Sequence, residues 1–127
     1  MKDLRLGFIG AGFIARFQAG ALRYVRGVQL AGVYSLDGAD ALAAQAKEMG
    51  LGDCRVYSSV AELCKNVDVV ALLAPNYVRV ELMEEVAAAV KAGAELKGII
   101  CEKPLGRTVA EAKRLVDLVQ EAGIPNA

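Results

Sequence analysis

The segment from Gly10 to Ala15, with the sequence GAGFIA, carries the residue types needed to hold the pyrophosphate of a dinucleotide. It matches the pattern G-x-G-x-x-G/A, in which Gly10 permits a tight turn and Gly12 leaves no Cβ in the path of the phosphates. A small third residue, here Ala15, lets the helix that follows pack closely on the preceding strand. The spacing therefore predicts a phosphate-binding turn at the start of a helix.

Two backbone amides at the start of that helix, those of Phe13 and Ile14, are expected to face the anion with the help of the helix dipole. Glycine turns after strands also occur for steric reasons alone, so the motif by itself leaves a purely structural turn open. Its place after an apolar strand, at the beginning of a strand–helix series, favours dinucleotide binding.

The residue that binds the adenosine ribose is expected at the end of the second strand, roughly 20 residues after the glycines. Ser35 holds that place, and Asp37 follows it. Asp37 is either a ribose ligand or the N-cap of the next helix, and we favour the N-cap. A serine repels a ribose phosphate less than a carboxylate does, yet no arginine follows closely to recognise that phosphate. The choice between NAD and NADP stays open.

Strand and helix patterns alternate along the chain, and these elements position the glycine turn and the ribose-binding candidates. Strands are predicted at 4–9, 28–34, 55–57, 67–74 and 98–101. Helices are predicted from the glycine turn to residue 25, from about 39 to a stop near 50, from 60, from about 77 to 92, and from 108 to a stop at 123. Because each strand is a short continuous apolar run, the series predicts a doubly wound parallel α/β sheet, a Rossmann fold, over residues 1–127.

Capping boxes are predicted to begin two of the helices, at Ser59 and at Thr108, each with a glutamate three residues later. In the last helix the inward face is predicted to carry Ala112, Leu115, Val116 and Val119. The pattern stops where a sixth strand is expected, so we expect a domain cut from a longer protein.

Composition excludes several classes of function. The chain has 127 residues, 55% of them hydrophobic, with 15 basic and 15 acidic side chains, which is typical of one globular domain. Zero formal charge without a dense Lys/Arg stripe argues against a nucleic-acid partner. No apolar run approaches the roughly 18 residues of a membrane span, and residues 1–14 lack the features of a signal peptide. We expect no membrane partner and a cytoplasmic protein.

Cysteine and histidine usage narrows the chemistry further. Cys54, Cys64 and Cys101 form an odd set without a Cys-x-x-Cys pair, which favours reduced thiols over a disulfide framework or a zinc site. The chain contains no histidine, so it can form neither a His-containing triad nor a His-ligated metal site. We expect no metal.

Three motifs, in this order, resemble the Gfo/Idh/MocA oxidoreductase family, named for glucose-fructose oxidoreductase and inositol dehydrogenase. The motifs are the glycine turn, Ala74-Pro75-Asn76, and Cys101-Glu102-Lys103-Pro104-Leu105. The resemblance spans the whole chain but only the amino-terminal domain of a family with a second, substrate-binding domain. Glu-Lys-Pro after the fifth strand is its most specific signal.

The resemblance implies hydride transfer between NAD or NADP and a sugar, cyclitol or related hydroxy compound. Pro75 and Asn76 would line the nicotinamide side of the cofactor. Lys103, with Glu102 close by, would contact the substrate hydroxyl or carbonyl. The family's further catalytic groups, an aspartate and a histidine, lie in the missing domain, so we expect this chain alone to be inactive.

The chain departs from the family pattern at three positions. Gln18 and Arg79 stand where family members often carry histidine, and Ser35 stands where many carry an acid. These departures bear on substrate and cofactor, while the fold does not depend on them.

Each motif also has a structural interpretation. Pro75 and Asn76 favour turns for local reasons, and Lys103 could be an exposed lysine beside a proline, with a side chain free to pair with Glu102. The base rate for X-Pro bonds favours a trans peptide before Pro104.

The same motifs are compatible with two other functions: a non-catalytic dinucleotide-binding or redox-sensing module, which would not need Lys103, and an assembly piece with an empty glycine turn. The order and spacing of the three motifs favour the enzyme. In the chain alone we expect the carboxyl edge of the sheet to be exposed or shielded by self-association.

Overall fold

Five parallel strands form one sheet in a computed structural model that describes residues 2–127. The strands are β1 (Leu4–Ile9), β2 (Val28–Tyr34), β3 (Arg55–Val56), β4 (Val69–Leu72) and β5 (Gly98–Cys101). The helices are α1 (Phe13–Leu22), α2 (Ala39–Glu48), α3 (Val60–Asn66), α4 (Arg79–Lys91) and α5 (Val109–Ala122), with a 3₁₀ turn at Asn76–Val78 before α4. The strand order is β3-β2-β1-β4-β5. The predicted doubly wound parallel sheet is confirmed.

Two apolar layers cover the sheet, one on each face. Successive residues of β4 point to opposite faces, so Val70 packs with α3, α4 and α5, whereas Ala71 packs with α1 and α2. Strands buried on both faces explain why the runs are apolar throughout instead of alternating. The strand order reverses between β1 and β4, and in such sheets the ligand crevice lies at the carboxyl ends of the strands flanking that reversal.

Element boundaries differ modestly from the sequence predictions. The predicted bounds are correct for β1, β2 and β5, whereas β4 is shorter than predicted. Beyond the ends of β4, pairing with β1 is reduced to single hydrogen bonds, from Asp68 N to Arg5 O and from Leu73 N to Ile9 O. α1 ends at Leu22 instead of continuing to Val25. The α4 segment opens with the 3₁₀ turn instead of a regular helix.

Both capping boxes are formed in part. The Ser59 hydroxyl accepts a hydrogen bond from Glu62 N at 3.1 Å, and the Thr108 hydroxyl accepts one from Glu111 N at 3.1 Å. In both boxes the glutamate carboxylate accepts a hydrogen bond from the residue before the cap instead of from the cap residue itself. Glu62 accepts from Ser58 N, and Glu111 accepts from the backbone N of the residue before Thr108. Each cap therefore still satisfies an otherwise free amide at its helix start.

The inward face of α5 corrects one prediction. Leu115 and Val119 are buried as expected, but Val116 is 40% exposed and Leu118 is buried instead. Positions 115, 118 and 119 follow the i, i+3, i+4 spacing of one helix face, and residue 116 lies about 100° away from 115 around the axis.

The last residues of the chain pair with the outer strand. Ile99 N donates to Pro125 O at 2.9 Å and Ala127 N donates to Ile99 O at 3.1 Å, in a parallel bridge between Ile99 and Asn126. This is the side of β5 on which a sixth strand of a doubly wound sheet is expected.

The three cysteines are all free. Burial raises the pKa of Cys54 to about 11 and that of Cys64 to about 12, and it also raises the pKa of Cys101. These thiols are therefore protonated packing groups at neutral pH. Within residues 2–127 no helix is both long and apolar enough to cross a bilayer.

Candidate functional site

A groove of about 760 Å³ lies where β1, β2 and β4 end and α4 begins. Seven of the residues singled out from the sequence line it, and six do not. The lining residues are Gly10, Gly12, Ile14, Ser35, Asp37, Ala74 and Pro75. Those outside the lining are Phe13, Ala15, Asn76, Glu102, Lys103 and Pro104. The sequence motifs thus converge on one edge of the sheet, with the Glu-Lys-Pro turn beyond the groove wall.

Gly10 joins the end of β1 to the end of β4. Its φ of +115° suits glycine, and a Cβ built there would lie 2.7 Å from Ala74 N. Gly10 N also donates to Tyr34 O at 2.8 Å, which ties the turn to the end of β2. The first glycine of the motif is therefore required by the fold itself.

Gly12 differs from Gly10, because no protein atom lies within 4 Å of a Cβ built on it and the fold itself leaves room for a side chain. It is the N-cap residue of α1, and no side chain caps the helix or places an acidic group in its first turn. The helix start is therefore an open set of backbone amides with no competing carboxylate, which is what a bound pyrophosphate needs. These residues fit a dinucleotide.

The first turn of α1 separates backbone from side-chain roles. Ala15 is fully buried against the sheet, as predicted for the small third position. The Phe13 ring is 74% exposed and stacks on Phe17 with centroids 6.2 Å apart. Phe13 is not part of the groove lining, so its expected role rests on its backbone amide at the start of the helix.

The interpretation of Asp37 as a helix N-cap is wrong. The N-cap residue of α2 is Gly38, in the left-handed region with φ 77°, and no side chain caps this helix. A Cβ on Gly38 would sit 3.4 Å from Ala11 O, so the turn after β2 approaches the glycine turn closely. Asp37 lines the groove, and its carboxylate makes no hydrogen bond or ion pair with residues 2–127. It is free to accept hydrogen bonds from a ligand.

Arg16 is a groove residue that the sequence reading missed. Its guanidinium donates to Ala11 O at 3.3 Å, beneath the glycine turn. The sequence could have indicated Arg16 as a groove residue, because it lies one helical turn after Gly12 and therefore on the same side of the helix. A cation here lies within reach of an anion at the helix start.

At the other end of the groove, the Pro75–Val78 segment is a turn, as its structural interpretation predicted. Val78 N donates to Pro75 O at 3.2 Å. Ala74 and Pro75 nevertheless line the groove, and the half-buried Asn76 begins the 3₁₀ turn beside it. The turn and the ligand-facing interpretation are therefore compatible.

The Glu-Lys-Pro turn follows β5 directly, since Glu102 N donates to Leu72 O at 3.2 Å. Lys103 is exposed and its backbone N donates to the Glu102 carboxylate at 3.0 Å. The Lys103–Pro104 peptide is cis, so the expectation of a trans bond is wrong. No ion pair joins the side chains of Lys103 and Glu102 among residues 2–127; the Glu102 carboxylate accepts instead from Gln18 Nε2 at 2.8 Å.

Arg79 is the second residue that the sequence reading missed as a site component. It is 4% exposed, lines the groove, and donates from Nε to Ala74 O at 2.9 Å. One terminal nitrogen donates to Glu102 O at 2.7 Å and also to Pro104 O. Burial lowers the pKa of this guanidinium, and the charge of Glu102 opposes that effect. No local pattern distinguishes such an arginine from an exposed one, because its partners lie on two other segments.

A charged cluster at the opposite, amino edge of the sheet is structural. Asp68 is 8% exposed and pairs with Arg5 and Lys97, each at 3.3 Å. Hydrogen bonds from Arg5 are the main cause that lowers the pKa of Asp68 to about 2. Within the described part of the chain, residues 2–127, no three His, Cys, Asp or Glu side chains are placed to hold a metal ion.

Comparison with known proteins agrees with this geometry. Residues 4–125 match the family model GFO_IDH_MocA, described as an oxidoreductase family with an NAD-binding Rossmann fold. The chain is 36% identical to a 1,5-anhydro-D-fructose reductase of Ensifer adhaerens, over 94% of this chain and 34% of that protein. It is 33% identical to inositol 2-dehydrogenase 3 of Saccharopolyspora erythraea, over 94% of this chain and 33% of the relative.

A solved structure extends the likeness to three dimensions. The UDP-N-acetylglucosamine 3-dehydrogenase of Acidithiobacillus ferrooxidans superposes with a TM-score of 0.75 and 26% identity, covering 99% of this chain and 37% of that one. The chain thus spans about a third of the length of the curated relatives that it matches.

Proposed function

The chain belongs to the Gfo/Idh/MocA oxidoreductase family, whose Rossmann domain binds NAD, and we propose that it is the cofactor domain of an enzyme that transfers hydride between NAD(P) and a sugar, cyclitol or related hydroxy compound. The observation that carries this proposal is the open backbone at Gly12, with no protein atom within 4 Å of a Cβ there, at the wall of a groove of about 760 Å³. The names of the relatives, a reductase of an anhydro sugar and an inositol dehydrogenase, support the substrate class.

Residues of this chain hold different parts of the cofactor in the proposal. The amides of Phe13 and Ile14, at the helix start beside Gly12, bind the pyrophosphate. Pro75 and Asn76 border the nicotinamide. When bound, the cofactor supplies the hydride chemistry, and the protein supplies position and electrostatics.

Asp37 and Ser35 bind the adenosine ribose and set the cofactor preference. The Asp37 carboxylate has no hydrogen-bond or ion-pair partner within residues 2–127 and faces the groove, so it can accept from the ribose hydroxyls. The same charge repels a phosphate on that ribose. We therefore propose that NAD is bound in preference to NADP.

Lys103 polarises the reacting oxygen in this proposal. It follows β5 at the carboxyl edge, where ligands of doubly wound sheets bind, and its exposed ammonium is not sequestered by Glu102. An ammonium at this place donates a hydrogen bond to a substrate hydroxyl or carbonyl and can share its proton. The remaining substrate contacts would come from a second domain in a protein of the length of its relatives, so the 127-residue chain alone should not turn over substrate.

The proposal also covers the cellular compartment and the self-association of the chain. Three free thiols suit a reducing compartment such as the cytoplasm. The exposed Phe13 and Phe17 rings, together with Ile100 at 41% exposure on β5, provide apolar surface for self-association of the chain alone. Light scattering at high concentration tests this: a strictly monomeric species would contradict it.

Cofactor titration tests the central proposal. The purified chain is titrated with NADH and followed by fluorescence or calorimetry, and saturable binding is expected. Gly12→Val should abolish binding by placing a side chain in the pyrophosphate path. Gly20→Val is the matched control, because Gly20 lies on the same helix and its added Cβ also meets no protein atom within 4 Å. Unchanged affinity in Gly12→Val would contradict the proposal.

A further inference from the structure

Arg79 connects the two turns that border the proposed nicotinamide end of the groove. From the start of α4 its guanidinium donates to Ala74 O, after β4, and to Glu102 O and Pro104 O, after β5. The two turns are separate segments of the chain, 28 residues apart when counted from Ala74 to Glu102. Among the side chains of residues 2–127, Arg79 alone donates hydrogen bonds to the carbonyls of both turns.

The contacts of Arg79 are unusual for a buried cation. At 4% exposure its charge is removed from water, yet its three hydrogen-bond acceptors are neutral carbonyl oxygens and no carboxylate lies within ion-pair distance in the described chain. Burial of a charge is costly unless it is well hydrogen-bonded. The planar fork of a guanidinium reaches several acceptors at defined angles, which a lysine ammonium on a flexible stem does not do equally well.

The other contacts of these turns indicate what the arrangement accomplishes. One turn carries Pro75 and Asn76, and the other carries Lys103, whose neighbour Glu102 is held from the opposite side by Gln18 at 2.8 Å. The glycine turn has its own supports in Gly10 N to Tyr34 O and in the burial of Ala15. Loss of Arg79 would therefore loosen one end of the groove and leave the other in place.

We propose that Arg79 is the positioning residue of the nicotinamide end: it holds the Pro75–Asn76 turn and the Glu102–Pro104 turn at a fixed separation, so that both face one ligand. This inference rests on the proposed function above, in which these turns border the nicotinamide and the substrate. It assigns Arg79 no contact with the reacting atoms. A positioned end binds its part of the ligand more tightly because the protein loses less conformational freedom on binding.

The test compares two ligands that differ at that end only. NADH and ADP-ribose share the adenosine and the pyrophosphate, and ADP-ribose lacks the nicotinamide. Their Kd values are measured by calorimetry for the wild-type chain, Arg79→Met and Arg79→Lys. We expect NADH to bind the wild type more tightly than ADP-ribose. In Arg79→Met the Kd for NADH should rise by about tenfold, while the Kd for ADP-ribose should stay within about twofold.

Arg79→Lys keeps the charge and is the variant that is expected to fold if Arg79→Met does not. It should recover only part of the NADH preference, because an ammonium cannot reproduce the fork. Arg5→Met is the matched control: it removes an arginine that also bridges two segments, through Asp68, at the opposite edge of the sheet. It should lower stability and leave the ratio of the two Kd values unchanged.

The outcomes separate this inference from the proposed function. If the wild type binds neither ligand, the proposed function fails. If it binds both, the inference is overturned when the ratio of Kd values is the same in Arg79→Met as in the wild type, when both affinities fall together, or when Arg5→Met shifts the ratio equally. Full recovery in Arg79→Lys would also overturn it, since charge alone would then suffice.

Discussion

The two ends of the groove are built in different ways. The end at the glycine turn, proposed to bind the pyrophosphate, is made of backbone from one short segment, where Gly10 has a positive φ and Gly12 has open space beside it. The opposite end, proposed to border the nicotinamide, is assembled by side chains from distant segments, with Gln18 and Arg79 fastening the turn at Glu102. A backbone site tolerates changes in the surrounding side chains, whereas an assembled site depends on each contact. The first end should therefore fail through glycine substitutions and the second through loss of single side chains.

The largest effect is expected at the assembled end, on catalysis. In a protein of the length of the curated relatives, Lys103→Met should lower kcat by about 10² to 10⁴, the usual range for a positioned acid or base, and leave cofactor affinity within a few fold. Steady-state kinetics and NADH titration measure the two quantities. Lys91→Met, at an exposed lysine near the end of α4, is the control. Loss of cofactor binding with an intact kcat would make Lys103 a phosphate or ribose contact instead.

The backbone end should respond through stability. Gly10→Ala should reduce the free energy of unfolding by roughly 2–4 kcal/mol, because it combines a positive φ with a backbone clash. The predicted approach of its Cβ to Ala74 N is 2.7 Å. Gly12→Ala should change stability by less than about 1 kcal/mol while weakening NADH binding. Urea unfolding of both variants checks the contrast; equal destabilisation would show that the two glycines do not have separate roles.

A third prediction compares two aspartates near the turn proposed to bind the adenosine ribose. Asp37→Ser should move the ratio of NADPH to NADH affinity toward NADPH by about tenfold, because the carboxylate no longer repels a ribose phosphate. Asp40→Ser removes the same charge nearby, from an exposed residue of α2 outside the groove lining. If both variants shift the ratio equally, the effect is one of net charge, and Asp37 is not a ribose contact.

The smallest effect is expected at the amino edge, away from both ends. The pKa of Asp68 is lowered to about 2, below its unfolded value of about 3.9, so its contribution to stability is present above pH 4 and is lost as the pH falls toward 2. Arg5 and Lys97 are partly exposed, which limits the contribution to about 1 kcal/mol.

Urea unfolding between pH 2 and pH 6 measures this contribution. Asp68→Asn should be less stable than the wild type at pH 6 and should lose that difference near pH 2. Cofactor affinity at pH 6 should not change in this variant. A difference in stability that is constant across the range would mean that the carboxylate is not the group responsible.

Much of this molecule followed from local sequence. The bounds of β1, β2 and β5, the caps at Ser59 and Thr108, and the tight turn at Gly10 were predicted correctly, because each depends on residues within a few positions of one another. Apolar runs, cap side chains and glycine conformations act over this range, so their signals survive in a single sequence.

Other features required the folded chain. The N-cap interpretation of Asp37 failed because the N-cap residue of α2 is Gly38, in the left-handed region and close to Ala11 O of the glycine turn. The exposure of Val116 depends on which way α5 faces the sheet. Neither contact partner is near in sequence, so no local pattern could reveal it.

By itself the sequence determined a doubly wound parallel sheet and a glycine turn after its first strand, since strand burial and glycine stereochemistry are local properties. Only the tertiary structure decided which side chains fasten the turn at Glu102. Gln18 meets Glu102 across 84 positions and Arg79 meets it across 23. Such contacts form because the parallel sheet brings the carboxyl ends of its strands to one edge, whatever their separation along the chain.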